Sequence, residues 1–375
     1  MIFPLRTILQ LVLLLWTQLS VVQAWGEDGH EIVGNLAYHL LPNKTKAVVD
    51  QILGVGNENF FLRGGRQSNH DKDDNTPLGA IANWADEVRH STEYHWSTPL
   101  HYIDIHDNAV EGGCPVFDQT PEQTKKCHFD YNRDCMGDVC VAGAIVNYTN
   151  HLKGAHPKMF AKQDSQGLIS RSLKGSASMM IAPWLNFYNY MPQEEKEPTK
   201  EESLVKQSLM FLTHFIGDIH QPLHSARTTD RGGNTIFVTF DHGNSNNALD
   251  SSHKLELHAV WDTTMIERAI HTSYGGKRVA LETELLQYIH DADDATYKQW
   301  LACADSSKPL CTTIWAEQSW QQALQWAYKN SDNQTEVVSG THLTDDYYET
   351  RMPQIKLYLA MAGVRLAVAL EYIFK

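Results

Sequence analysis

Between Ser203 and His224 the chain reads SLVKQSLMFLTHFIGDIHQPLH. Leu204, Val205, Leu209, Met210, Phe211, Leu212, Phe215, Ile216 and Ile219 leave almost no polar stripe. The spacing therefore predicts a helix from Ser203 to about His220, buried on most sides and central to a mainly α protein. Set into that apolar cylinder are His214 and Asp218, four residues apart and so on one face. A buried carboxylate is costly unless a cation neutralises it. An ion pair or a hydrogen-bonded core histidine accounts for either residue alone, but the two together on an apolar helix point to a metal.

The same device recurs at His258 and Asp262 in LHAVWD, again four apart in a segment of helical spacing. Asp86 in ANWADEVR and His101 in LHYID add a carboxylate and an imidazole. A further donor set lies near the start. Leu9 to Leu19 form an apolar stretch behind Arg6, followed by the small-residue cleavage pattern Val22-Gln23-Ala24, which reads as a signal peptide over residues 1–24. The apolar run is too short and too polar for a spanning helix, so no stable membrane anchor is expected. Cleavage after Ala24 frees the amine of Trp25, which can chelate a cation together with its own carbonyl oxygen, with His30 five residues on.

The remaining residues, 25–375, contain no internal repeat and no linker composition, and are read as one domain. Helical spacing is expected over Ile32–Leu41, Leu78–Arg89 and Arg351–Phe374, with strand alternation confined to Leu100–Ile105 and Thr235–Phe240. Gly54–Asp74 and Gly112–Asp138 read as long loops. Six cysteines in an exported chain imply disulfides, with connectivity open among 15 pairings. Asn43, Asn147 and Asn333 begin glycosylation sequons. A net charge of −14 excludes a broad basic face for duplex binding, whereas 19 histidines suit metal binding.

The ordered motifs WGxxGH, WADxxR, LHYID, HFxGDxHQPLH, GGN and LHxxWD resemble the zinc-dependent single-strand nuclease and 3′-nucleotidase family, which is related to zinc phospholipase C. They span Trp25 to Asp262, and Ala362–Ala367 is also similar to the family. The resemblance implies a single-domain helical fold with disulfide-bearing loops and three Zn²⁺ per chain. Asp86, His101, His214 and Asp218 would hold one ion. Trp25 and His30 would hold a second, bridged by Asp218, and His224, His258 and Asp262 a third. His220 would lie outside the ligand set. Three Zn²⁺ against three aspartates leave a net charge of about +3, which suits a polyanion despite the acidic chain.

The same resemblance implies that Arg89 clamps a phosphate oxygen, that Tyr102 stacks a base, and that Asp104 and Asn234 read its edge. The alternative for Arg89 is a surface ion pair with Asp86 or Glu93, and for Tyr102 a place in the core. Single-stranded DNA and RNA and 3′-nucleotides are the expected substrates. A hydroxide oriented by Asp86 would attack phosphorus in line and leave 5′-phosphates. No protein partner is predicted, and the expected location is outside the cell or in an acidic secretory organelle. Two other readings compete: a phospholipase C acting on lipid phosphodiesters, and a non-catalytic secreted zinc protein.

Overall fold

The helices of the described residues include α1 (Glu27–Leu40), α2 (Trp84–Val88), α3 (Lys200–Asp218), α4 (Arg278–Asp291), α5 (Thr312–Gln322) and α6 (Asp345–Phe374). The computed structural model describes residues 25–55, 75–107, 114–117, 127–155, 199–241, 254–301 and 310–375. The expected signal peptide and most of the Gly54–Asp74 loop lie outside these residues.

α3 is the buried central helix that its composition demands. Its first two turns are partly open, whereas everything from Ser208 to Asp218 is buried. A capping box starts it: the Thr199 hydroxyl accepts from the Glu202 amide, and the Glu202 carboxylate accepts from the Thr199 amide. α6 runs across α1, close enough that a Cβ at Gly363 would come within 2.7 Å of Leu36 Cβ. α6 has the length and hydropathy of a membrane span, yet 78% of its apolar window is buried inside the protein, which marks it as a core helix.

The expected helix over Leu78–Arg89 is broken into a 3₁₀ turn at Gly79–Ile81 and the short helix α2. The physical reason lies at Ala82, whose carbonyl accepts a hydrogen bond from His214 Nδ1 at 2.7 Å instead of from an amide one turn on. The strands are shorter than the alternation suggested. β1 (Ile103–Ile105) pairs in parallel with β2 (Ser225–Arg227), and β3 (Phe237–Phe240) lies between β4 (Leu255–Glu256) and β5 (His342–Leu343). β1 and β2 bring the segment after His101 beside the segment after His224, with Ile103 opposite Ser225.

Disulfides join Cys114 to Cys127 and Cys135 to Cys140, with Cα separations of 5.6 and 5.2 Å, and Cys311 is also disulfide-bonded. They staple the region read as a long loop, which includes the helical turn Tyr131–Asp134. Asn43, Asn147 and Asn333 are all exposed.

Candidate metal centre

Each donor arrives from a different element. α1 carries His30, α2 carries Asp86, and His101 ends a 3₁₀ helix over His95–His101. His214 and Asp218 come from the last turns of α3, and His224 from the 3₁₀ turn Pro222–His224. His258 lies in the helical turn Leu257–Ala259, which passes directly into a π-turn at Val260–Thr264 containing Asp262. The wider π-turn departs from the regular helix that the spacing suggested. It still leaves His258 Nε2 only 3.1 Å from Asp262 Oδ2.

The side chains gather into three groups, each with ligand atoms within 4.8 Å of one another: His30, Asp86 and His214; His101, His214 and Asp218; and His224, His258 and Asp262. Asp218 Oδ1 lies 3.3 Å from His30 Nε2, while its Oδ2 lies 3.1 Å from His101 Nδ1 and 3.2 Å from His214 Nε2. One carboxylate thus faces two of the groups. Trp25 is fully buried beside them, and the neighbouring Gly26 amide donates to the Asp262 carbonyl at 2.8 Å.

Backbone carbonyls set the tautomers. His214 Nδ1 donates to Ala82 O at 2.7 Å, His224 Nδ1 to His101 O at 2.8 Å, and His258 Nδ1 to Gly232 O at 2.6 Å. Each ring therefore turns its Nε2 inward, the nitrogen that would bind a metal once its proton is displaced. His224 Nε2 and His258 Nε2 face one another at 3.1 Å, an arrangement that needs a cation or a shared proton between two lone pairs. Gly232 makes this possible with φ of +60°, where an added Cβ would meet Leu223 O at 2.3 Å.

The donor set fits a divalent ion on a second count. His30 Nε2, Asp86 Oδ1 and both Asp218 oxygens are buried without a hydrogen-bond partner, as is His101 Nε2. Unsatisfied buried acceptors at this density are costly unless a cation serves them. Electrostatics agree. Burial acts to raise Asp86, but His214, Arg89 and His101 together hold it below the usual carboxylate range. Burial likewise pushes His30, His101 and His224 downward, keeping them neutral ligands. Burial would also lower His214, yet Asp218 and Asp86 push it up to about 10.

Arg89 is buried rather than on the surface, with Nη1 3.3 Å from Asp86 Oδ1 and Nε without a partner. Tyr102, immediately before β1, and Asp104 within it lie half-buried, alternating with buried Ile103 and Ile105. Asn234 donates through Nδ2 to Arg231 O at 2.6 Å and keeps its Oδ1 without a partner. His220 faces away from the donors: its Nδ1 donates to Ile216 O, and its Nε2 accepts from Arg365 at 2.7 Å.

Sequence reasoning did not single out Gln221. It is fully buried, and its Nε2 donates to Asp262 Oδ1, fixing that carboxylate. A buried amide between two histidines of the deciding stretch was the available signal. The carbonyls of Ala82, His101 and Gly232 carry no side-chain signature at all.

The S1/P1 nuclease family model matches residues 25–375. The chain is 30% identical to Endonuclease 2 of Arabidopsis thaliana over 358 residues, covering 94% of this chain and 91% of that protein. It is 28% identical to Nuclease S1 of Aspergillus oryzae, covering 94% and 93% of the two chains. Against Nuclease P1 of Penicillium citrinum the identity is 27%, with coverage of 92% and 95%.

Proposed function

We propose, from the premise that this chain belongs to the S1/P1 nuclease family and is a zinc-dependent nuclease, that it cuts single-stranded DNA and RNA and removes 3′-phosphates. The observation that carries this reading is the density of inward-facing, partnerless donor atoms beside a buried arginine and a half-buried tyrosine.

Three zinc ions would be held by Asp86, His101, His214 and Asp218; by Trp25, His30 and the shared Asp218; and by His224, His258 and Asp262. Bound zinc supplies a Lewis acid for phosphate oxygen and a water acidic enough to attack at neutral pH. Asp86, kept ionised by its cationic neighbours, would accept a hydrogen bond from an attacking water and so orient it. Arg89 offers its partnerless Nε to a non-bridging phosphate oxygen, where charge grows in the transition state. Gln221 holds Asp262 in place. In-line attack with departure of the 3′-oxygen leaves a 5′-phosphate on the product strand, and the same geometry accepts a terminal 3′-phosphate.

Tyr102 offers a stacking face that tolerates any base. Asn234 Oδ1 and the Asp104 carboxylate, both acceptors, suit the amino and imino hydrogens of a base edge. A paired base must leave its stack to reach them, so single strands are favoured. Export through the secretory pathway is supported by the disulfides and by the apolar N-terminal stretch. Relatives named as nucleases favour a nucleotide over a lipid substrate.

Initial rates on an oligonucleotide and on its matched duplex, with a 3′-nucleotide and a choline phospholipid in parallel, test this reading. The single strand should be cut much faster than the duplex, the 3′-nucleotide should release phosphate, and the lipid should remain intact. Equal rates on single and double strands would overturn the strand preference, and lipid cleavage without nucleotide cleavage would overturn the substrate class.

A further inference from the structure

The turn that supplies Gly232 O to His258 also presents an arginine to solvent. Arg231 is exposed and holds a left-handed backbone with φ of 54°, a conformation that costs a side-chain-bearing residue. The turn is fastened on several sides. Thr228 donates through its amide and hydroxyl to Ile105 O at 3.0 and 2.9 Å, and the Thr229 amide donates to Asp107 Oδ1 at 3.2 Å. Asp230 accepts from the Gly233 amide at 2.7 Å and from Tyr328 OH at 2.8 Å. Asn234 then clamps the Arg231 carbonyl. Such a turn is a rigid mount.

Among the described residues, the Arg231 guanidinium has no hydrogen-bond or ion-pair partner. It lies near enough to act on both Tyr102 and Asp104. Tyr102 feels Arg89 and Arg231, whereas Asp104, two residues further from His101 along β1, has His106 and Arg231 as its cationic neighbours. Arg89, paired with the metal-facing Asp86, and Arg231, on the turn whose carbonyl Asn234 holds at 2.6 Å, thus both act on Tyr102.

We propose that Arg231 binds the phosphate on the 5′ side of the nucleoside stacked on Tyr102, making it a specificity residue that favours polynucleotides over bare 3′-nucleotides. The inference rests on the reading of Tyr102 as a base platform. A nucleoside whose 3′-phosphate points to Arg89 turns its 5′-oxygen away from the metal centre. In a strand that oxygen carries a phosphate, and in a 3′-mononucleotide it does not. A rigidly mounted, unpaired guanidinium matches a phosphate through its forked donors.

The test uses the zinc-loaded wild type and the variants Arg231→Gln, Arg231→Lys and Arg231→Gly. The first readout is the ratio of KM for a nucleoside 3′,5′-bisphosphate to KM for the matching 3′-monophosphate. The wild type should favour the bisphosphate, and Arg231→Gln should erase about tenfold of that preference, as expected for one charge-assisted contact. Arg231→Gly should do the same while relaxing the backbone, and Arg231→Lys should retain part.

The second readout is binding of a cleavage-resistant phosphorothioate single strand across a salt series. Losing one phosphate contact should flatten the log–log slope by about 0.7 in the Gln variant. An unchanged KM ratio together with an unchanged salt slope would overturn the proposal. Failure of the wild type to hydrolyse either nucleotide would instead overturn the proposed function, and the salt slope would still report on the contact.

Discussion

The ring of His30 lies so close to Gly217 that a Cβ at that position would fall 2.7 Å from His30 Nδ1. The same ring stacks on His214 at a centroid distance of 3.8 Å and a tilt of 14°. α1 and α3 therefore meet through a glycine on one side and a pair of parallel imidazoles on the other. Replacing Gly217 by Ala forces His30 off Asp218. The expected result is loss of the ion held by His30 and destabilisation of about 1–3 kcal/mol, the range for overpacking a tight interior. Zinc content per chain and urea denaturation check this. Full zinc content in Gly217→Ala would show that the contact is slack.

Metal uptake should release protons. Burial alone would lower His214, but Asp218 and Asp86 push it up to about 10, so without metal it is an imidazolium at neutral pH. His258 is also raised, by Asp262 against the effect of burial. A raised folded value means that the stabilisation from protonated His214 is complete below 6.5, its ordinary value, and is lost as pH rises through about 10. Chelated protein should lose stability over that window, while zinc affinity increases over it as the competing proton is released. Titration calorimetry at pH 7 in two buffers of different ionisation heat should detect this release. Identical heats in both buffers would contradict it.

Arg89 should matter to turnover far more than to folding. Arg89→Ala is expected to lower kcat by about 10²–10³, as for loss of one donor to a developing oxyanion, with Arg89→Lys recovering part. Zinc content should be unchanged. Undiminished turnover in Arg89→Ala would reduce Arg89 to a partner of Asp86.

A buried ionic cluster fixes the Asp86 segment to α1. Arg278 donates to Glu31 Oε2, to Glu282 Oε1 at 2.9 Å and to Asn75 Oδ1 at 2.7 Å, while Asn35 accepts from the Thr76 amide at 2.9 Å. Arg278→Met strands two buried carboxylates and should cost about 3–5 kcal/mol in urea denaturation. Adding Glu31→Gln and Glu282→Gln should recover much of that loss. Equal stability of single and triple variants would show that charge is not what the cluster supplies.

The central helix and its His214–Asp218 pair were legible because an apolar run with two polar residues on one face has few physical explanations. α6 was legible for the same reason. The broken helix before Arg89 was not, because the carbonyl that interrupts it serves a histidine more than a hundred residues away. β2 is three residues long and carries no alternation of its own, existing only through its pairing with β1. Gln221 and the carbonyl anchors belong to the same class, since their roles arise from which segments meet. The burial of Arg89 is also set by the fold, and its spacing from Asp86 equally suited a surface pair.

The central claim is that zinc held by this donor set drives nucleotide hydrolysis. Its most direct test is the rate of single-stranded DNA and 3′-nucleotide hydrolysis by the purified protein as prepared, after thorough chelation, and after zinc is returned. Both activities should vanish together on chelation and return together with zinc. Activity that survives complete metal removal would contradict the account.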